Sequence, residues 1–153
     1  GCGMGQHAKQ YSDMGAESVL GIDISEKMLE YAKEHFHAKN ITYRQMALED
    51  ICQIDEQFDL ITSSLAFDYA EDLDKLMKNI YGLLKYGAHF VFSMSHPMAT
   101  AWDGQYDRYT GQNRAKDFMR ISATIWLREK GQSNGLSRTM KFIIEHFPVL
   151  LIL

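Results

Sequence analysis

Cysteine and proline are nearly absent, with two of each in 153 residues. Cys2 and Cys52 are too few for a disulfide framework, and their spacing is not that of a metal-ligand pair, so a reducing, cytoplasmic setting is expected. No apolar run approaches the roughly 20 residues that cross a bilayer. No basic, then apolar, then small-residue leader opens the chain, which is therefore expected to be neither membrane-embedded nor exported. An excess of positive charge is missing too: 16 Lys and Arg stand against 20 Asp and Glu, for a net charge of -4 and a pI near 5.8. That balance argues against a nucleic-acid binder dominated by phosphate contacts. With 46% hydrophobic and 24% charged residues and no internal repeat, the composition is that of one ordinary globular domain.

Glycine is concentrated at the start, where Gly1-Cys2-Gly3-Met4-Gly5 places a side-chain-free residue at every second position. Such a run lets a backbone turn tightly and brings main-chain atoms close to a ligand. An acid, Asp23, closes the next apolar run at Val19-Leu20-Gly21-Ile22, where it can accept hydrogen bonds from ribose hydroxyls. Loop and acid together predict a nucleotide-cofactor site. The dinucleotide fingerprint wants its third glycine one residue later, at a position held here by Gln6, which disfavours a nicotinamide-dependent oxidoreductase.

Residues 6–14 suit a short helix stopped by Gly15, and 18–23 a strand. Ser25 is a natural N-cap for a helix with Glu26 in its first turn and Met28, Ala32 and Phe36 along one face, ended by Asn40. Residues 41–46 and 58–63 read as strands. Leu73, Leu76, Met77, Ile80, Leu83 and Leu84 recur at helical spacing, with Gly87 placed as a C-terminal cap. His89 to Ser95 is another strand, and strands alternating with helices predict parallel pairing through right-handed crossovers. The polar and aromatic stretch 98–116, with Trp102, Tyr106 and Tyr109, reads as a long connection or lid. Residues 121–128 suit a late strand and 139–147 a final helix. Cys2 reads as a packing residue, and His35 with His37 as a solvated helix end rather than a metal site.

At this point the chain resembles the class I S-adenosylmethionine-dependent methyltransferases, particularly the small-molecule group related to the ubiquinone and menaquinone biosynthesis methyltransferases. The blocks that carry the resemblance are Gly1 to Gly5, Val19 to Ser25 with Met28-Leu29, Leu48-Glu49-Asp50-Ile51, Phe58 to Ala66, and Gly87 to Ser93. They occur in family order over residues 1 to 97. The resemblance implies an α/β, doubly wound Rossmann-like sheet, a cofactor-binding core over 1–97, a lid or acceptor-side segment over 98–130 and an incomplete C-terminal region over 131–153. It also implies S-adenosyl-L-methionine as cofactor and a small-molecule methyl acceptor.

Placed residue by residue, the resemblance puts Gly1, Gly3 and Gly5 along the methionine and ribose of the cofactor and Asp23 on the ribose hydroxyls. Ile24 and Met28 would flank the adenine, and Ser64 would lie beside the methionine moiety. The family's usual acid near the third strand is replaced by Ala47, so Leu48 and Glu49 are either adenine contacts or part of a solvated turn. His96 and Asp68 are candidate bases for an acceptor that loses a proton, with a structural turn as the other reading of His96. In the resembled fold a strand precedes the glycine loop at the centre of the sheet, between the strands at 18–23 and 58–63. That first strand is missing here, which predicts a fragment with two unpaired edges and weak or no cofactor binding on its own. A non-catalytic remnant that keeps the fold remains the alternative function.

Overall fold

Val19 to Asp23 are buried without interruption, as a strand covered by helices on both faces requires. The computed structural model describes residues 1–94, 125–127 and 149–153. Its elements run α1 (Gln6–Asp13), β1 (Ser18–Asp23), α2 (Glu26–His35), β2 (Ile41–Gln45), β3 (Phe58–Ser64), α3 (Leu73–Leu83), β4 (Leu84–Ser93), β5 (Ile125–Leu127) and β6 (Val149–Ile152). Short 3₁₀ turns at Leu48–Gln53 and Phe67–Tyr69 follow β2 and β3. The sheet order is β2-β1-β6-β3-β4-β5, parallel throughout except for β5, which pairs antiparallel with β4. This is the doubly wound α/β class expected from the alternation of strands and helices.

Side chains alternate between two cores, following the period of two in a strand. Leu20, Ile22, Ile61, Phe90, Phe92, Leu151 and Leu153 pack with Leu76, Ile80 and Leu83 of α3 on one face. Val19, Leu60, Val91 and Ile152 pack with Ala8 of α1, Leu29 of α2 and Cys2 on the other. The helices start where local chemistry says they should. Asp72 Oδ1 accepts the Lys75 N–H at 2.9 Å to cap α3, and Ser25 Oγ accepts the Met28 N–H at 3.4 Å to cap α2.

The expected gap at the sheet centre is not found. Strand β6 lies between β1 and β3, pairing Leu20 with Leu151 on one side and Ile61 with Leu151 on the other. The Leu153 N–H extends the ladder to the Thr62 carbonyl at 2.8 Å. Leu151, Ile152 and Leu153 are 0%, 3% and 0% exposed. A short apolar run in this slot satisfies its backbone on both sides and buries its side chains on both faces, which a solvated tail does neither of.

Two boundaries differ from expectation. Strand β4 begins at Leu84, directly after α3, so Gly87 lies within a strand with φ 78° and does not cap the helix. Helix α2 ends at His35 with Phe36 as its C-cap, short of Asn40, whose side chain instead donates to the Ala16 carbonyl at 2.6 Å. Ile125–Leu127 form a strand within the expected 121–128, whose other residues lie outside the described ones. His96, the aromatic stretch with Trp102, Tyr106 and Tyr109, and the helix expected over 139–147 lie outside the described residues. No helix among the described residues is long and apolar enough to cross a membrane.

Candidate functional site

The site forms where β1 hands over to α2 and where the glycine loop turns into α1. Because Ser25 caps α2, Asp23 is not used as a cap side chain. Its Oδ2 accepts the Gly3 N–H at 2.8 Å and its Oδ1 accepts the Ser25 N–H at 2.9 Å. The carboxylate is 8% exposed, and each oxygen retains a second lone pair for an incoming hydroxyl. The loop itself is anchored by the Cys2 N–H on the Ile22 carbonyl at 2.7 Å and the Gly5 N–H on the Cys2 carbonyl at 3.2 Å. Gly3 and Gly5 adopt φ of 56° and 85°, left-handed conformations that favour glycine.

Two clefts flank this loop. The first, of about 520 Å³, is bordered by Gly1, Gly3, Asp23, Ile24, Met28, Leu48, Glu49 and Ser64, so the structure brings together eight of the nine residues expected to hold a cofactor. It adds Met46, Ala47, Leu65, Ala66 and Tyr69, which the sequence reading did not assign. Ile24, Met28, Leu65 and Tyr69 are large apolar side chains left 44% to 83% exposed, and all four converge on this one cleft. Exposed apolar surface gathered in a concavity is a place for a flat apolar ligand. Leu65 also carries φ 55°, the one positive value at a non-glycine among the described residues.

The second cleft, of about 440 Å³, shares Gly1, Gly3 and Ser64 with the first and continues past Gln6, His7, Tyr11, Ser63 and Ser93. Burial pushes the Tyr11 phenol up, opposed by its hydrogen bond with Thr62. Burial, and then the Asp23 carboxylate, push the Cys2 thiol up to about 12. Cys2 is therefore a packing residue and not a nucleophile, as the sequence suggests.

Gly5 is the exception among the nine. It borders neither cleft. A β-carbon there would overlap the Tyr43 hydroxyl and fall 2.8 Å from the Ala32 Cβ. Its absence of a side chain lets α2 and Tyr43 close on the loop, a packing role beside the place along the cofactor that the resemblance implies. Asp68 is exposed on the 3₁₀ turn Phe67–Tyr69, whose Phe67 is buried, and borders neither cleft. A separate hollow of about 680 Å³ beside the start of α3 is lined by Glu49, Glu71, Asp72 and Asp74. Asp72 there already caps α3, and Glu49 already accepts the Glu71 N–H at 3.5 Å. No His, Cys, Asp and Glu group among the described residues could hold a metal ion.

Residues 1–92 match the family described as Methyltransferase domain, and the chain belongs to it. The ubiquinone biosynthesis O-methyltransferase of Coxiella burnetii is 32% identical over 95 residues, covering 61% of this chain and 40% of that enzyme. A crystal structure of an S-adenosylmethionine-dependent methyltransferase from Mesorhizobium loti superposes with TM-score 0.61 at 41% identity, covering 64% of this chain and 45% of that one. The N-methyltransferase NodS of Bradyrhizobium japonicum, solved in complex with S-adenosyl-L-homocysteine, superposes with TM-score 0.55 at 25% identity over 65% of this chain and 52% of that one. The chain spans well under half the length of the curated relatives it matches.

Proposed function

We propose that this chain holds the cofactor-binding core of an S-adenosylmethionine-dependent methyltransferase that acts on a small-molecule acceptor. The observation that carries the reading is the 520 Å³ cleft, in which a buried carboxylate, a glycine loop and four exposed apolar side chains converge. The residues fit the group. Asp23 has lone pairs for two ribose hydroxyls, and Ile24, Met28 and Leu48 offer an apolar slot for the adenine. Gly1 leaves room beside the carboxylate, since a β-carbon there would stand 2.9 Å from Asp23 Oδ2. Ser64, whose Oγ lies 3.1 Å from the Ser93 Oγ, stands on the border toward the second cleft, where the methionine part would lie.

When bound, the sulfonium supplies an electrophilic methyl and a good leaving group. What remains for the chain is orientation: holding an O, N or C nucleophile in line with the methyl carbon can contribute several kcal/mol, on the order of 7–11 at the limit. Membership in the methyltransferase family and the likeness to NodS support the same reading. Calorimetry with S-adenosylhomocysteine and with NADH tests it, the first expected to bind and the second not. Absence of S-adenosylhomocysteine binding, or tighter binding of NADH, overturns it. Transfer of a labelled methyl group to a panel of phenols, amines and carbon acids then separates a working enzyme from a non-catalytic remnant.

A further inference from the structure

Residues four apart lie on one face of a helix. His7 and Tyr11 are such a pair on α1, and both border the 440 Å³ cleft. The hydrogen bond between Tyr11 and Thr62 pins this face of α1 to the end of β3. One turn back, His7 is exposed at the cleft beside Gln6. Ser63 and Ser93 complete the cleft from the ends of β3 and β4, and the buried Ser63 Oγ has no hydrogen-bond partner. No carboxylate, lysine or arginine side chain lies among the described residues bordering this cleft, and the His7 imidazole is the basic side chain there, with a ring nitrogen that can accept from an O–H or N–H.

This placement has a consequence that rests on the cofactor reading above. With the nucleoside in the first cleft, the shared border at Gly1, Gly3 and Ser64 would hold the sulfur end of the cofactor and open it toward the second. We propose that His7 faces the methyl-bearing end of the bound cofactor and meets the methyl acceptor, a molecule that presents an O–H or N–H. The imidazole nitrogen accepts the hydrogen bond from that group. As the acceptor's lone pair forms the bond to the methyl carbon, the carbon–sulfur bond breaks with its electron pair left on sulfur. The acceptor's proton passes to the His7 ring nitrogen.

The test uses the full chain with three nucleosides: S-adenosylhomocysteine, sinefungin, which carries an amine where the methyl would be, and 5′-methylthioadenosine, which lacks the amino-acid tail. The His7 imidazole signal is followed by NMR and assigned by its loss in His7→Gln. It is expected to differ between the saturated sinefungin and S-adenosylhomocysteine complexes, and to move least with 5′-methylthioadenosine. His7→Ala is expected to change the ratio of sinefungin to S-adenosylhomocysteine affinity by about fivefold, the size of one hydrogen bond. His37→Ala, on the exposed chain after α2, leaves the ratio as it was. A coincident His7 signal in the two complexes, or an unchanged ratio in His7→Ala, overturns the proposal and leaves the cofactor reading standing. Failure of all three nucleosides to bind overturns both.

Discussion

Asp23 holds Gly3 across twenty residues of chain: the carboxylate Oδ2 accepts the Gly3 N–H at 2.8 Å while Oδ1 accepts the Ser25 N–H at 2.9 Å. One side chain thus fixes both the glycine loop and the entry to α2. Asp23→Asn keeps the shape but turns one acceptor into a donor facing an N–H. Hydrogen bonds to a charged group contribute about 1.5–3 kcal/mol each. The variant is therefore expected to lower the unfolding free energy by about that amount and to weaken S-adenosylhomocysteine binding by tenfold or more, since about 1.4 kcal/mol is tenfold. Urea unfolding and calorimetry read the two effects separately. Unchanged affinity would remove Asp23 from the cofactor site.

Gly3 and Gly5 share a backbone conformation but not an environment. An added β-carbon meets nothing within 4 Å at Gly3, whereas at Gly5 it meets Tyr43 and Ala32. Left-handed strain of about 1–2 kcal/mol applies to both, and overpacking adds about 1–3 kcal/mol at Gly5 alone. Gly5→Ala is expected to be the less stable of the two by thermal melting. Tyr43→Phe in the same chain recovers only part of the loss, because the ring carbon Cζ would still lie 3.0 Å away. Equal stabilities for Gly3→Ala and Gly5→Ala would refute the packing role given to Gly5.

What could be read in the sequence was local. Ser25 followed by Glu26 announces a helix start, and an acid closing an apolar run announces Asp23, because caps and strand ends are decided by near neighbours. Gly5 was indistinguishable from Gly1 and Gly3 by spacing, since the residue that crowds it, Tyr43, is 38 positions away. Gly87 carries the signal of a helix stop, yet α3 has already ended at Leu83 and the strand absorbs a positive φ there. Met46 and Leu65 reach the cleft from just past the ends of β2 and β3, and Tyr69 from the 3₁₀ turn that follows, a placement set by the tertiary fold. His7 carried one signal that could have been used, its position four residues before Tyr11 in the helix directly after the glycine loop.

The run Val149–Leu153 is the least legible part of the fold. Its composition says that it wants burial and not where, because a strand's partners are chosen by the tertiary slot left open. Placed between β1 and β3, Leu151 is 0% exposed. Leu151→Ala is expected to cost about 2–5 kcal/mol, against less than about 0.5 kcal/mol for Glu30→Ala on an exposed face of α2. Amide exchange of residues 150–153 should be as slow as that of Leu60 to Thr62. Rapid exchange there in an otherwise folded chain would show that this strand is not what fills the centre of the sheet.

The buried Cys2 thiol makes stability depend on pH in an alkaline window. Burial pushes it from 9.0 up to about 12, and burial pushes the Tyr43 phenol from 10.0 up to about 12 as well. Both groups hold their protons in the folded chain at pH values where the unfolded chain releases them. Unfolding therefore releases protons between about pH 9 and 12, and stability, full below pH 9, falls as pH rises through that range, by up to about 1.4 kcal/mol per pH unit for each proton. Urea midpoints at pH 8, 9, 10 and 11 are expected to hold and then decline, and Cys2→Ala should make the decline shallower. The same protonation protects the thiol: at pH 8 iodoacetamide should modify exposed Cys52 and leave Cys2 intact until the chain unfolds. Equal labelling of the two cysteines in the folded chain would mean that the glycine loop opens far more often than its hydrogen bonds to Ile22 and Asp23 allow.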